Sequence, residues 1–269
     1  MIDQFIDAGG IRTRYLEAGK GPALILVHGG GPGADAWSNW RKTLPALSKR
    51  FRVLAYDVVG FGLTDKPDST GFVYSQEARV KHLIAFIEAL GSSPLSLIGN
   101  SMGGAVGLGT CIARPDLVDK LVLMGSGGLI TQVNANLKAA ITYTPSLENM
   151  RRALQLLTRE GFEIEPEVVE YRYGLSCDPA ALAAYTAGME WVVERGGLFY
   201  PEEEISQIKN KTLIIHGKLD RVVPPEMGWR FCNLIPNAWF HLMPDCGHWA
   251  MIEQPEEFNT ITNWFLTEA

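Results

Sequence analysis

Pro94-Leu-Ser-Leu-Ile-Gly-Asn-Ser-Met-Gly-Gly-Ala-Val-Gly-Leu-Gly109 decides the fold of this chain. An apolar run at 94–98 reads as a buried strand, and the small and apolar residues from Gly103 onward read as a helix. Between them stands Gly99-Asn-Ser-Met-Gly103, a serine with glycine two positions before and two after. That spacing on a strand-to-helix turn is the nucleophile elbow. The turn is so tight that side chains two residues away on either side would collide, and the serine backbone is strained. The strain holds the hydroxyl out above the sheet. The N–H of Met102, at the start of the helix, then points where a developing oxyanion would sit.

The same rhythm repeats outward from the elbow. Ala23–Val27, Phe51–Tyr56, Leu95–Ile98, Lys120–Met124, Thr212–Ile215 and Ala238–Met243 are apolar runs with little polar alternation, as expected of strands buried on both faces. Ala78–Leu90 carries apolar residues at helical spacing and stops at Gly91, and Pro255–Thr267 forms a last helix. Alternation of this kind predicts a parallel sheet with helices on both faces. Gln4–Leu16 reads as a hairpin turning at Gly9-Gly10 on an antiparallel edge. From about Gly127 to Ile208 no buried strand is visible, and helical patterns run over Glu148–Arg159, Pro166–Tyr173 and Pro179–Val193. So long a stretch exceeds a single crossover. It is expected to be a helical cap over the carboxyl edge of the sheet, where such folds bind ligands.

Composition narrows the function. The 269 residues are 46% hydrophobic and 20% charged, as in a globular enzyme. A formal net charge of −6 argues against nucleic acid or an anionic membrane surface as partner. No apolar run is long enough to span a bilayer, and the N-terminus lacks the pattern of a signal peptide. Cys111, Cys177, Cys232 and Cys246 have no paired metal spacing and read as reduced thiols of a cytoplasmic protein. Neither a metal nor a cofactor is expected.

A serine hydroxyl needs a base, and the base needs an acid to orient it. Of five histidines, His28 opens a glycine loop and suits a structural role. His82 lies inside a helix, where partial surface exposure is the default. His216 comes too early in the chain and His241 lies within a strand. His248, in Asp245-Cys-Gly-His-Trp249 after the last strand, satisfies the order serine, acid, histidine. Asp220, in the loop after Thr212–Ile215, is the expected acid; a role as a turn cap is the weaker reading. Asp245 stands only three residues before His248 in the same loop, and Asp57 is expected to tie turn amides together. The loop His28-Gly-Gly-Gly-Pro-Gly33 offers a second oxyanion donor, assigned to the Gly30 amide beside that of Met102. No Lys-Ser/Thr follows it, so a phosphate cradle is disfavoured.

With these residues in place, the sequence resembles the α/β-hydrolase superfamily along its whole length. More narrowly it resembles the meta-cleavage product hydrolases of the carbazole-pathway type. The resemblance rests on His28–Ala34 with Trp37-Ser-Asn39, Gly99–Gly104, Glu170-Tyr-Arg-Tyr173 and Cys246–Glu253, and for the carbazole type on Tyr15–Gly21 and Gly197–Tyr200 as well. It implies a mostly parallel eight-stranded sheet with helices on both faces, a core of residues 1–126 and 209–269, and an inserted cap of 127–208. It also implies hydrolysis of a carbon–carbon bond in an acidic 2-hydroxy-6-oxohexa-2,4-dienoate, in a homo-oligomeric enzyme. By the same resemblance Arg172 pairs with the substrate carboxylate, a task suited to a planar, always-charged guanidinium. Gly29, Asn39 and Asn100 hold the 2-oxygen end, and Trp249 packs against the dienoate. The cap stretch between Thr131 and Tyr143 does not align residue by residue.

The expected chemistry has two halves. His248 with Ser101 first helps convert the bound dienol to its keto tautomer, which makes the carbon leaving group an electron sink. Water or Ser101 then adds to the ketone while the Gly30 and Met102 amides hold the oxyanion. Two rivals share these residues: a carboxylesterase of the same fold and a non-catalytic ligand-binding member. Haloalkane dehalogenase and epoxide hydrolase chemistry is excluded, since those relatives carry aspartate where this chain has Ser101.

Overall fold

The computed structural model of the chain describes residues 2–133 and 142–268. Most of the stretch between Thr131 and Tyr143 therefore lies outside the described residues.

Ten strands are described: β1 (Ile2–Asp7), β2 (Arg12–Ala18), β3 (Ala23–Val27), β4 (Arg52–Tyr56), β5 (Leu95–Asn100), β6 (Val118–Met124), β7 (Leu129–Ile130), β8 (Leu198–Phe199), β9 (Lys211–Gly217) and β10 (Ala238–Met243). Eight of them form one sheet in the order β1-β2-β4-β3-β5-β6-β9-β10. The β1–β2 and β2–β4 pairs are antiparallel, and every other pair is parallel. The mostly parallel eight-stranded sheet is therefore present, with the Gly9-Gly10 hairpin on its edge. Leu24–Val27 of β3 and Leu121–Met124 of β6 are completely buried, as strands covered on both sides must be. One expectation needs correcting. β10 is an edge strand, and Trp239 and Leu242 are exposed rather than buried.

The helices are α1 (Ala36–Trp40), α2 (Leu44–Leu47), α3 (Gln76–Leu90), α4 (Met102–Ala113), α5 (Leu147–Leu156), α6 (Pro166–Ser176), α7 (Pro179–Glu194), α8 (Glu202–Ile205), α9 (Pro225–Leu234), α10 (Ala250–Glu253) and α11 (Pro255–Glu268). The Ser75 hydroxyl caps α3 by accepting from the Ala78 N–H, and left-handed Gly91 ends it. Two apolar clusters cover the two sheet faces. Leu83, Phe86 and Ile87 of α3 pack with Ala105 and Leu108 of α4 in one. Trp40 of α1, Trp249 and Phe258 pack in the other.

His82 was expected at a partly exposed helix surface, but it is 2% exposed. It shares the buried face of α3 with Arg79, Leu83 and Phe86. Its Nδ1 accepts from the Val59 N–H and its Nε2 pairs with the Thr13 hydroxyl. Burial lowers its pKa to about 4.

β6 and β9 are neighbours in the sheet, with Lys120 opposite Lys211. The chain leaves the sheet between them, through β7, α5, α6, α7 and β8. β7 and β8 pair antiparallel, Leu129 opposite Phe199. Helix α6 comes down onto the loop after β3. A Cβ on Gly33 would lie 2.0 Å from the Arg172 carbonyl oxygen, so only glycine admits the helix there.

Candidate active site

Ser101 sits between β5 and α4 at φ 54 and ψ −116, and among the described residues it alone has positive φ without being glycine. The crowding that forces this geometry is measurable. A Cβ on Gly103 would stand 2.2 Å from the Val27 carbonyl oxygen, and one on Gly99 would stand 2.4 Å from that of Gly103. The Ser101 N–H donates to the Met124 carbonyl at 2.9 Å, which ties the elbow to β6. The strain is thus held by main chain on both sides.

The acid and the histidine meet over the same end of the sheet. His248 Nδ1 lies 2.7 Å from Asp220 Oδ2, and both residues are buried. Asp220 Oδ1 accepts from the Val222 and Val223 N–H groups at 2.8 and 2.9 Å. The carboxylate therefore serves as turn cap and histidine partner at once, one oxygen for each, and α9 begins just beyond at Pro225. His216 Nε2 stands 3.2 Å from Asp220 Oδ2 and 3.0 Å from the Val223 carbonyl. Burial pushes the Asp220 carboxyl up, but the charge of His248 and the hydrogen bonds of His216 and His248 outweigh it. The acid is held below the ordinary carboxylate range. With Nδ1 engaged, the other ring nitrogen of His248 is the one available to the cavity.

Ser101, His248, Gly30, Met102 and Arg172 all line one cavity of about 1030 Å³ including its mouth. A Cβ on Gly30 would meet the Met102 side chain at 3.5 Å, so the residues of the two expected oxyanion donors are neighbours in the cavity lining. The Met102 N–H lies in the first turn of α4, where helices leave amides without internal acceptors. Ser101 and His248 share the cavity without a hydrogen bond between them, a common state of such pairs before substrate binds.

Among the described residues, Gly29, Asn39, Asn100 and Trp249 stand behind the cavity lining rather than in it. Asn39 Oδ1 accepts from the Gly29 N–H at 3.4 Å and from Trp249 Nε1 at 3.2 Å. Asn100 Nδ2 donates to the Met124 carbonyl at 3.3 Å. Asn39 thus links the glycine loop to the histidine loop, while Asn100 ties the elbow to β6. His28 braces the glycine loop. Its Nδ1 donates to the Gly29 carbonyl, its Nε2 accepts from the Val58 N–H, and burial lowers its pKa to about 4.

Arg172 is 1% exposed and has no carboxylate in ion-pair contact among the described residues. Its Nε and Nη2 donate to the Pro32 carbonyl at 3.1 and 2.8 Å, and its guanidinium lies 5.6 Å from the Trp249 ring. Burial lowers its pKa, to about 10, which leaves it charged at neutral pH. The preceding residue anchors the helix. Tyr171 donates to Asp35 Oδ2 at 2.6 Å, while Asp35 Oδ1 accepts from the Ser38 N–H and caps α1.

Behind Asp35 stands a buried cluster that the sequence reading did not assemble. Arg14 Nη1 reaches Asp35 at 3.3 Å and Asp57 at 3.2 Å, and Arg14 Nη2 reaches Asp3 at 2.7 Å. Asp57 also accepts from the Ala36 and Leu63 N–H groups, the turn-tying role expected of it. Burial, and next the charge of Asp35, raise the Asp57 pKa to about 7.

Residues 22–255 match the family model of the alpha/beta hydrolase fold. The chain is 46% identical over 267 residues to the 2-hydroxy-6-oxo-6-(2'-aminophenyl)hexa-2,4-dienoic acid hydrolase of Metapseudomonas resinovorans, covering 99% of this chain and 91% of that one. It is 38% identical to a 2-hydroxy-6-oxo-2,4-heptadienoate hydrolase of Pseudomonas putida, covering 98% and 96%. Among solved structures, a serine hydrolase involved in carbazole degradation superposes with a TM-score of 0.92 at 44% identity, covering 100% and 99%.

Proposed function

The chain belongs to the alpha/beta hydrolase family, among its meta-cleavage product hydrolases, and on that premise we propose how it works on its substrate. It is a hydrolase that cleaves a carbon–carbon bond in 2-hydroxy-6-oxo-hexa-2,4-dienoates, giving 2-hydroxypenta-2,4-dienoate and a carboxylic acid. The observation that carries the assignment of roles is Arg172. A buried guanidinium without a carboxylate partner among the described residues, in the same cavity as Ser101 and His248, calls for an acidic ligand.

In this reading Arg172 takes the dienoate carboxylate in a bidentate pair. Asp220 fixes His248 by its Nδ1, so the other ring nitrogen moves protons at the Ser101 hydroxyl and at the dienol. The Gly30 and Met102 amides hold the oxyanion formed when water or Ser101 adds to the ketone. Gly29, Asn39 and Trp249 act through the loops they join, and Asn100 acts through its tie to β6. Residues 127–208 serve as the cap, inserted between 1–126 and 209–269. Support for the cap is the adjacency of β6 and β9 in the sheet and the fit of Gly33 under α6.

The decisive comparison is Arg172→Gln against the parent on two substrates. With an acidic dienoate, loss of the visible chromophore should slow by about 100-fold in kcat/KM, the worth of a charge-assisted pair. A simple ester should be affected far less. Equal loss on both substrates, or none on the dienoate, would overturn the role of Arg172 and favour an esterase.

Trp239 and Leu242 on the open edge of the sheet, with Trp229 and Trp264 also exposed, support assembly with further copies of this chain. No helix among the described residues is long and apolar enough to cross a membrane. The four cysteines are free thiols, which supports a cytoplasmic setting.

A further inference from the structure

Asp220 is held by more than its partnership with His248 requires. Its Oδ1 accepts from the Val222 and Val223 N–H groups at 2.8 and 2.9 Å, and its Oδ2 lies 2.7 Å from His248 Nδ1. A second imidazole reaches that same Oδ2: His216 Nε2 stands 3.2 Å away. An ionised carboxylate has room for about four donors, so the acid is filled on both oxygens.

The proton on His216 can be placed from its surroundings. Nε2 faces the Asp220 carboxylate at 3.2 Å and the Val223 carbonyl at 3.0 Å. Both are acceptors, so Nε2 carries a hydrogen and shares it between them. Val223 closes the circuit, since its own N–H donates to Asp220 Oδ1. Packing keeps the ring in place. His216 is buried in β9, and a Cβ on Gly228 would lie 2.7 Å from its Nδ1. Helix α9 can therefore approach the imidazole only where it has no side chain.

The groups that could change charge beside this pair are few. The histidine loop brings His248 and the Cys246 thiol, which burial pushes up and keeps neutral. Glu253 is turned to the Gly247 and Trp249 N–H groups, and Asp245 to Arg159. Arg221 donates to the Gln155 and Thr158 carbonyls. Past the end of β6 the near neighbour is Gly125, whose Cβ would lie 3.2 Å from Asp220 Oδ2. β10 places Leu242 opposite His216, and on α9 Glu226 and Arg230 are exposed.

We propose that His216 is a positioning residue for the hydrolysis: by sharing Asp220 Oδ2 with His248, it fixes the carboxylate and draws part of its charge away from the His248 proton. The inference rests on the roles proposed above for Asp220 and His248. His216 does not line the cavity, so it acts on the substrate only through Asp220. With His216 removed, Asp220 would hold the protonated form of His248 more strongly, and the base would become available only at higher pH.

Nitrogen-15 NMR of the parent tests the first step without any variant: His216 Nε2 should carry a proton, and a bare Nε2 overturns the proposal. His216→Met then removes the donor at similar volume, and His216→Gln returns one near the Nε2 position. In His216→Met the acid limb of kcat/KM for the dienoate should move about 0.5 to 1 pH unit higher. kcat should fall by about 10-fold with KM little changed. NMR should show His248 taking up its proton at correspondingly higher pH, and His216→Gln should return both readings toward the parent. Thermal melting checks folding, and if His216→Met does not fold, His216→Asn, whose amide is too short to reach Asp220, makes the same comparison. An acid limb and a His248 titration that stay with the parent overturn the proposal, as does a His216→Gln enzyme shifted as far as His216→Met. If no dienoate is hydrolysed, the reaction proposed above fails, while the two NMR readings still decide on His216.

Discussion

Ser101 and Arg172 face one cavity, yet they are positioned by opposite means. Ser101 is placed by main chain: Gly99 and Gly103 leave no room for side chains, and the Met124 carbonyl holds its N–H. Arg172 is placed by side chains and a loop: Tyr171 reaches Asp35, and the guanidinium reaches Pro32 and the Trp249 ring. The lower site is rigid and tolerates almost no change. The upper one is a set of separable contacts that can be weakened one at a time.

The sharpest way to break that contrast lies in the elbow. Ser101→Ala should lower turnover by about 10⁴-fold or more while leaving the melting temperature near that of the parent. Gly103→Ala should instead cost folding, by about 3 kcal/mol or more, because its methyl meets the Val27 carbonyl oxygen. Chemical denaturation together with turnover separates the two outcomes. A well-folded Gly103→Ala variant would remove the claim that main-chain crowding sets the elbow.

The upper site predicts a milder effect. Tyr171→Phe leaves Asp35 short of one buried donor and loosens α6 at the residue before Arg172. A cost of about 1–2 kcal/mol is expected. It should appear chiefly as a higher KM for the dienoate, with kcat less altered, because Ser101 and His248 are untouched. An equal fall in kcat would mean that the Tyr171 contact also shapes the lower site.

The smallest effect is one of pH and concerns the scaffold below both sites. His28 and His82 are buried neutral, with pKa values lowered to about 4 from the ordinary 6.5. Their contribution to stability is full above pH 6.5 and is lost as pH falls toward 4, because only the unfolded chain takes up their protons. Asp57, raised to about 7, runs the other way. Its contribution is full at low pH and is lost as pH rises through 7. Two protons against one leave a net loss of about 1.4 kcal/mol per pH unit on acidification from 6.5 to about 4.5. Urea unfolding at pH 6.5, 5.5 and 4.5 measures it. Stability that holds flat or rises over that range contradicts the burial of these histidines as neutral groups.

The same contrast explains what could be read from the sequence. The elbow, the glycine loop His28–Gly33 and the histidine loop are local patterns, so Ser101, Met102, Gly30 and His248 were legible, and chain order led to Asp220. Arg172 came through its resemblance to relatives. Contacts between distant residues left no local trace. Tyr171 and Asp35 are 136 positions apart, and nothing near either names the other. The Arg14 cluster and the His216 contact to Asp220 were missed for the same reason. His82 and Arg79 did carry a signal, since their spacing places them on the apolar face of α3 with Leu83 and Phe86. A polar residue on that face is buried with a partner, as His82 is, or buried facing a cavity, as Arg79 is. β10 misled because its apolar side chains belong to an open edge rather than to the core.

Asp35 has a consequence for anyone recombining such proteins. One oxygen caps a core helix and the other receives a tyrosine from the helical segment, so this carboxylate belongs to both halves of the molecule. A chimera that imports the helical segment of another hydrolase inherits a new residue at position 171 but keeps this acid, with Arg14 and Asp57 behind it. Unless the donor segment also supplies a hydroxyl there, the graft leaves a buried acceptor unmet at the seam. Exchange of specificity between relatives is therefore expected to succeed only where position 35 and position 171 travel as a matched pair.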